Sequence, residues 1–134
     1  MSEHTTQQRI LLACGSGSTR LWRNNVGTGW AGQATKIQRR GMVAVEPGDI
    51  IVRQGRPLHA GLCVGSSDLI GYRVVNRVAQ FVALEVKSAT GRPTAQQTQF
   101  IDHINAVGGC AGIVRSVEDA RSVLGSDAKA EPLR

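Results

Sequence analysis

Two runs of β-forming residues, 68–75 and 80–87, are joined by a short polar turn around Asn76-Arg77. A link that short makes the two runs antiparallel neighbours, because parallel pairing needs a crossover of about a dozen residues or more. The next segment is equally constrained. Thr94, with Gln97 three positions on, has the spacing of a capping box for a helix over 94–107, and Gly108-Gly109 ends it. A short apolar strand over 110–114 comes next. A last helix spans 116–124, with Ser116 as cap, Glu118 and Asp119 in its first turn and Gly125 at its stop. The pattern predicts an α/β or α+β sandwich.

The first half is less regular. Residues 3–14 read as a helix that stops at Gly15-Ser16-Gly17-Ser18, and 19–25 have strand character. Residues 27–32 form a glycine-rich loop, and 36–40 a basic stretch around Ile37. Two β runs, 42–45 and 50–53, flank Glu46-Pro47-Gly48-Asp49, whose central Pro-Gly signals a type II turn and so a hairpin; 54–57 are a further turn. At 134 residues and 41% hydrophobic the chain suits one domain with a real core. We assign that domain to residues 1–125 and a polar tail to 126–134. No apolar run nears the roughly 20 residues a membrane crossing needs, and no secretory signal pattern is visible, so a cytoplasmic location is expected.

Lys and Arg number 16 against 10 Asp and Glu, a net charge of +6, and thirteen of the cations are Arg. The planar guanidinium fork matches phosphate oxygens, which favours a polyanionic partner over a merely basic surface. Cys14, Cys63 and Cys110 are scattered and read as buried thiols; with isolated His4, His59 and His103 they make no metal motif. Any metal must therefore be held by carboxylates.

Most of the ten carboxylates have plain explanations. Glu46 and Asp49 flank a turn, Asp102 lies on a polar helix face, Glu118 and Asp119 suit a helix N-terminus, and Asp127 and Glu131 lie in the tail. Glu85 does not. Along 81–87 side chains alternate, so Val82, Leu84 and Val86 form an apolar face while Phe81, Ala83, Glu85 and Lys87 form the other. Glu85 and Lys87 are either an exposed pair at the strand's end or a buried one needing partners. Asp68 favours the second reading, since antiparallel pairing brings it beside Glu85. Two adjacent carboxylates repel unless a cation lies between them, and an oxygen-only donor set points to Mg²⁺ or Mn²⁺. The Val86 carbonyl adds a candidate ligand. Lys87 would orient a bound water or stabilise developing charge on a phosphodiester.

These residues resemble the PD-(D/E)XK nuclease superfamily and, more narrowly, the VRR-NUC family of short phage and bacterial nucleases. The similarity runs from Gly61-Leu62 through Gly65-Ser66-Ser67-Asp68-Leu69-Ile70-Gly71, Glu85-Val86-Lys87, Gly91-Arg92, Gln97 and Phe100-Ile101 to Gly108-Gly109. Arg23-Asn24-Asn25-Val26-Gly27 also resembles the start of stand-alone members, giving coverage of about residues 3–124. Ser67 stands where the superfamily pattern has Pro. The resemblance implies a restriction-endonuclease-like fold, a mixed central β-sheet flanked by helices. It further implies a metal-dependent endodeoxyribonuclease acting on branched DNA such as four-way junctions, as a homodimer, in a bacterial or phage-infected cell. Asp68 and Glu85 would be metal ligands, Lys87 the catalytic lysine, Gln97 a helix residue pointing into the site, and Glu3 a further metal-proximal carboxylate.

Gln97 shares a helix face with Phe100, Ile101, Ile104 and Val107, which agrees with an inward position; its alternative role is the capping box. Arg23 and Asn24 contact either DNA or their own loop. Arg39, Arg40, Arg53, Arg56 and Arg92 are candidate phosphate contacts. Trp22 and Trp30 are either core anchors or base-stacking platforms. A non-catalytic nucleic-acid-binding module on the same scaffold is the alternative function, and a protein-interaction subunit a third.

Overall fold

The computed structural model describes residues 1–29 and 32–125. Trp30, Asp127, Glu131 and the tail as a whole lie outside the described residues. The elements are α1 (Glu3–Cys14), β1 (Thr19–Arg23), β2 (Gly27–Thr28), β3 (His59–Ala60), β4 (Leu69–Val75), β5 (Val78–Val86), α2 (Ala95–Ala106), β6 (Cys110–Val114) and α3 (Val117–Leu124). Four strands form one sheet in the order β1-β4-β5-β6, with β1, β4 and β5 antiparallel and β6 parallel to β5 through the α2 crossover. This mixed sheet flanked by helices is the expected architecture, consistent with a restriction-endonuclease-like core.

The β4–β5 hairpin turns on Asn76 and Arg77, both with positive φ (49° and 64°). That is the two-residue turn whose twist matches antiparallel strands. Leu69 pairs with Leu84 and Val75 with Val78, so all seven residues of β4 are matched. Leu21, Leu69, Val82, Leu84 and Val86 project to one face, where they bury against Ile10 of α1 and Ala120 and Leu124 of α3. On the opposite face α2 packs across β5 and β6 and buries Ile101.

Each helix starts where a hydroxyl can cap it. Ser2 accepts from the Thr5 amide, Thr94 from Gln97 and Ser116 from Asp119. Among the described residues no helix is long and apolar enough to cross a membrane.

Several expectations are corrected. The 42–45 and 50–53 runs are not strands. The turn between them forms, with Gly48 at φ +96° and the Asp49 amide 3.0 Å from the Glu46 carbonyl, but its flanks remain unpaired and exposed. A two-stranded hairpin with no face to bury is marginal in water. The glycine-rich loop instead contributes Gly27–Thr28 to a short ladder with His59–Ala60, extended by a Gly29 amide to Leu58 carbonyl bond of 3.2 Å. Cys63 is exposed, Cys14 half-buried and Cys110 buried; burial raises the last two thiols above the usual range. Trp22 is 55% exposed, so it is not a core anchor, and Val107, at the end of the predicted inward helix face, is also exposed.

Candidate active site

The register ends at Leu69 opposite Leu84, which sets Asp68 against Glu85 at the rim of the sheet. Asp68 is fixed there from two sides. Its carbonyl accepts the Asn24 amide at 2.7 Å, and its carboxylate Oδ2 accepts the Val86 amide at 2.9 Å. The side chain thus extends the ladder where the backbone of β4 has turned away.

Glu85 is only 1% exposed, the fourth residue of a buried five-residue run. Its Oε1 takes two donors, the Lys87 ammonium at 3.0 Å and the Gln97 amide at 2.5 Å. Its Oε2 is buried and has no hydrogen-bond partner among the described residues. An ion pair at this depth makes a weak case for stability, since apolar residues of similar volume often serve better. A buried carboxylate oxygen with no partner calls for its own explanation.

Gln97 performs both roles weighed for it. Its Oε1 accepts the Thr94 amide at 2.8 Å, closing the capping box, and its Nε2 reaches Glu85. Thr94→Ala removes one cap and is expected to cost about 1 kcal/mol of stability. Gln97→Ala should lower stability comparably and in addition free the Glu85 carboxylate. Chemical denaturation reads the loss of stability in both variants.

Burial is the main reason that both carboxyls sit above their usual range. For Asp68 the Val86 amide and Lys87 pull downward while Glu3 pushes upward; for Glu85 the Lys87 hydrogen bond lowers and Asp68 raises. An acid whose pKa is raised by folding holds its proton in the native state after the unfolded chain has released it. Its effect on stability is therefore neutral below the ordinary carboxylate range and increasingly unfavourable as pH climbs through the raised values. Relative to a Glu85→Gln variant, the protein should lose melting temperature as pH rises out of the ordinary carboxylate range. Scanning fluorimetry over a pH series reads this, and a wild-type curve parallel to the variant's would contradict it.

Glu3 lies at the flank of this site. Its Oε1 accepts the Ser88 amide at 2.9 Å, tying the first turn of α1 to the loop after β5. Arg115 braces the same loop through the Ser88 and Gly91 carbonyls, the second at 2.8 Å. Neither Ser88 nor Arg115 is foreseen from the sequence; the Ser-x-x-Gly spacing of Ser88 and Gly91 is the one local sign, since the Gly91 amide bonds the Ser88 side chain at 3.0 Å.

Asn24, a candidate DNA contact, is buried and engaged. It donates to Ser66 Oγ at 2.8 Å and the Ser67 carbonyl at 2.9 Å, and accepts the Leu62 amide at 3.0 Å. Of its two readings the loop one holds: it clamps the turn leading into Asp68. Ser67 is fully buried within that turn. Arg23 lies against His4, with 3.3 Å between Nη1 and Nδ1. Arg39, Arg40 and Arg92 are exposed.

A solved structure described as a VRR_NUC domain protein is similar to this chain. It shares 21% identity at a TM-score of 0.40, over 55% of this chain and 61% of that one. The chain therefore spans less than two thirds of that protein's length. No protein-family model matches the chain, and no curated protein matches it.

A divalent cation makes its own demands on the donor set. Among the described residues no group of three or more His, Cys, Asp and Glu is disposed to hold a metal. The free Glu85 Oε2 beside Asp68 and the Val86 backbone instead fits the manner in which Mg²⁺ binds, through one or two carboxylates, retained waters and substrate phosphate.

Proposed function

We propose that this chain is a metal-dependent DNA endonuclease of the VRR-NUC type, hydrolysing phosphodiester bonds in branched or duplex DNA as a homodimer. The observation that carries this reading is Glu85, a deeply buried carboxylate with one oxygen doubly hydrogen-bonded and the other without a hydrogen-bond partner among the described residues, next to the half-buried carboxyl of Asp68.

In this reading Asp68, Glu85 and the Val86 carbonyl hold Mg²⁺ or Mn²⁺, with Glu3 nearby. When bound, the ion supplies Lewis-acid polarisation of a phosphodiester oxygen and lowers the pKa of a water. The remaining work belongs to the side chains. Lys87, half-buried and held by Glu85, keeps a positive charge where negative charge develops on phosphorus-bound oxygen. Gln97 fixes the rotamer of Glu85, so that its second oxygen stays turned to the site. Arg39, Arg40 and Arg92, together with Arg23, supply phosphate contacts.

The test is incubation of the purified protein with four-way junction, flap and linear duplex substrates, with Mg²⁺, with Mn²⁺ and with chelator. Metal-dependent cuts in at least one substrate are expected. Binding without cutting under any of these conditions would leave the non-catalytic alternative standing. DNA affinity should also fall steeply with salt, by about tenfold or more between 50 and 200 mM if several phosphates are neutralised. A flat salt profile measured by fluorescence anisotropy would contradict an arginine-led interface.

A further inference from the structure

Trp22 belongs neither to the core nor to the site described above. It lies on the sheet face opposite α1 and α3, on the side where α2 packs across β5 and β6. There it borders an open cleft of about 340 Å³, bounded also by Ile70, Tyr72, Ala79 and Phe81. Trp22 and Tyr72 line the cleft with ring centroids 5.9 Å apart and planes inclined by 48°. Phe81 is 38% exposed beside them. Apolar surface gathered in a groove of this kind marks a binding site.

The strand register shows where this surface leads. Arg20, Tyr72 and Phe81 form one cross-strand row, and Trp22, Ile70 and Ala83 form the next. Side chains two positions apart share a face, so the following row on that face is Asp68 and Glu85. The aromatic surface and the candidate metal site are one continuous strip. Trp22 stands one row, about 7 Å along the strand direction, from the two carboxylates. Successive phosphates of an extended single strand are spaced by a similar step.

The charge on the strip selects its occupant. Residues 19–23 and 69–84 contain no Asp or Glu, and Arg20 is exposed on the aromatic face beside Tyr72. A ligand for this surface needs flat apolar faces together with negative charge, and a nucleic acid strand has both. In a duplex the bases already stack on one another, so the rings are of use only to unpaired bases. We propose that Trp22, with Tyr72 and Phe81, is a stacking platform for the unpaired bases of a single-stranded DNA arm, whose backbone then runs on to Asp68 and Glu85. The proposal deepens the function proposed above and rests on it for the reaction. It names the substrate class as DNA in which a single strand leaves a duplex.

The test is fluorescence anisotropy in the presence of chelator, so that binding is read without cutting. Three labelled probes are compared: a duplex with an unpaired adenine arm, the same duplex with an arm of abasic sites, and a blunt duplex. The abasic arm keeps every phosphate and lacks only the bases. Wild type should prefer the adenine arm to the abasic one by about tenfold or more. Trp22→Ala should bring that ratio close to one, and Trp22→Phe should keep most of it. Trp22 is 55% exposed, so circular dichroism should stay native for both variants. Arg20→Ala should weaken both armed probes alike, since it removes charge and no ring. Equal wild-type affinity for the two arms, or a preference that survives Trp22→Ala, would overturn the proposal. So would self-association of the wild type that Trp22→Ala abolishes without altering the arm preference, which would assign the face to a second copy. Cleavage assays keep the two readings apart. A base-dependent preference without metal-dependent cutting sinks the nuclease and leaves the platform, while cutting with no preference between the arms does the reverse.

Discussion

Asp68→Ala is expected to reduce Mg²⁺-dependent DNA cleavage by about a thousandfold or more, with DNA affinity unchanged or slightly higher. One carboxylate of two is removed, and polarisation of a phosphoryl oxygen is worth several kcal/mol, where each ~1.4 kcal/mol is tenfold in rate. Affinity should not fall, because a carboxylate facing phosphates repels them. The substitution also strips the Val86 amide of its acceptor, which invites an objection based on local disorder. Asp68→Asn answers it, since the amide oxygen can still accept that bond while the charge is gone. Equal cleavage by wild type and Asp68→Asn would remove the basis of the nuclease reading.

Gly71→Ala is expected to prevent stable folding. Gly71 pairs with Leu21 across β1 and β4. A Cβ there would lie 1.8 Å from the Arg20 carbonyl oxygen, 2.8 Å from its carbon and 3.0 Å from the Leu21 Cα. All three are backbone atoms, so no rotamer change relieves the overlap and β1 must leave the sheet. Leu21 would then leave the core and the Asn24 amide would lose Asp68. A cost above about 4 kcal/mol is expected, against a total of roughly 5–15 kcal/mol for an ordinary domain. Urea denaturation or, more simply, the soluble yield reports it. A variant that melts within a few degrees of wild type would mean that β1 and β4 do not approach as described.

The sequence disclosed the second half of the chain because each element there carries its own local rule. The Asn76-Arg77 turn fixes a hairpin, Thr94 and Gln97 fix a helix start, and alternation from Phe81 to Lys87 puts Glu85 and Lys87 on one side. The turn and the alternation set Asp68 beside Glu85 with Lys87 on the same side, whereas Gln97 is expected there from the family resemblance, with which its helix face agrees. The first half resisted for a physical reason. The 42–45 and 50–53 runs have β-forming composition, but pairing depends on a surface to cover, and composition does not reveal whether the chain supplies one. Asn24 looked like a surface loop residue because its partners, Leu62, Ser66 and Ser67, lie about forty positions away. Trp22 alternates correctly as a strand residue, yet which face of the sheet lacks a helix is decided by the packing of α2, well beyond any local pattern.

The amide of Gln97 has two ends, one closing the first turn of α2 and the other gripping Glu85. Unwinding of this single turn therefore loosens Glu85 as well, so the start of the helix and the setting of the carboxylate are coupled through one side chain.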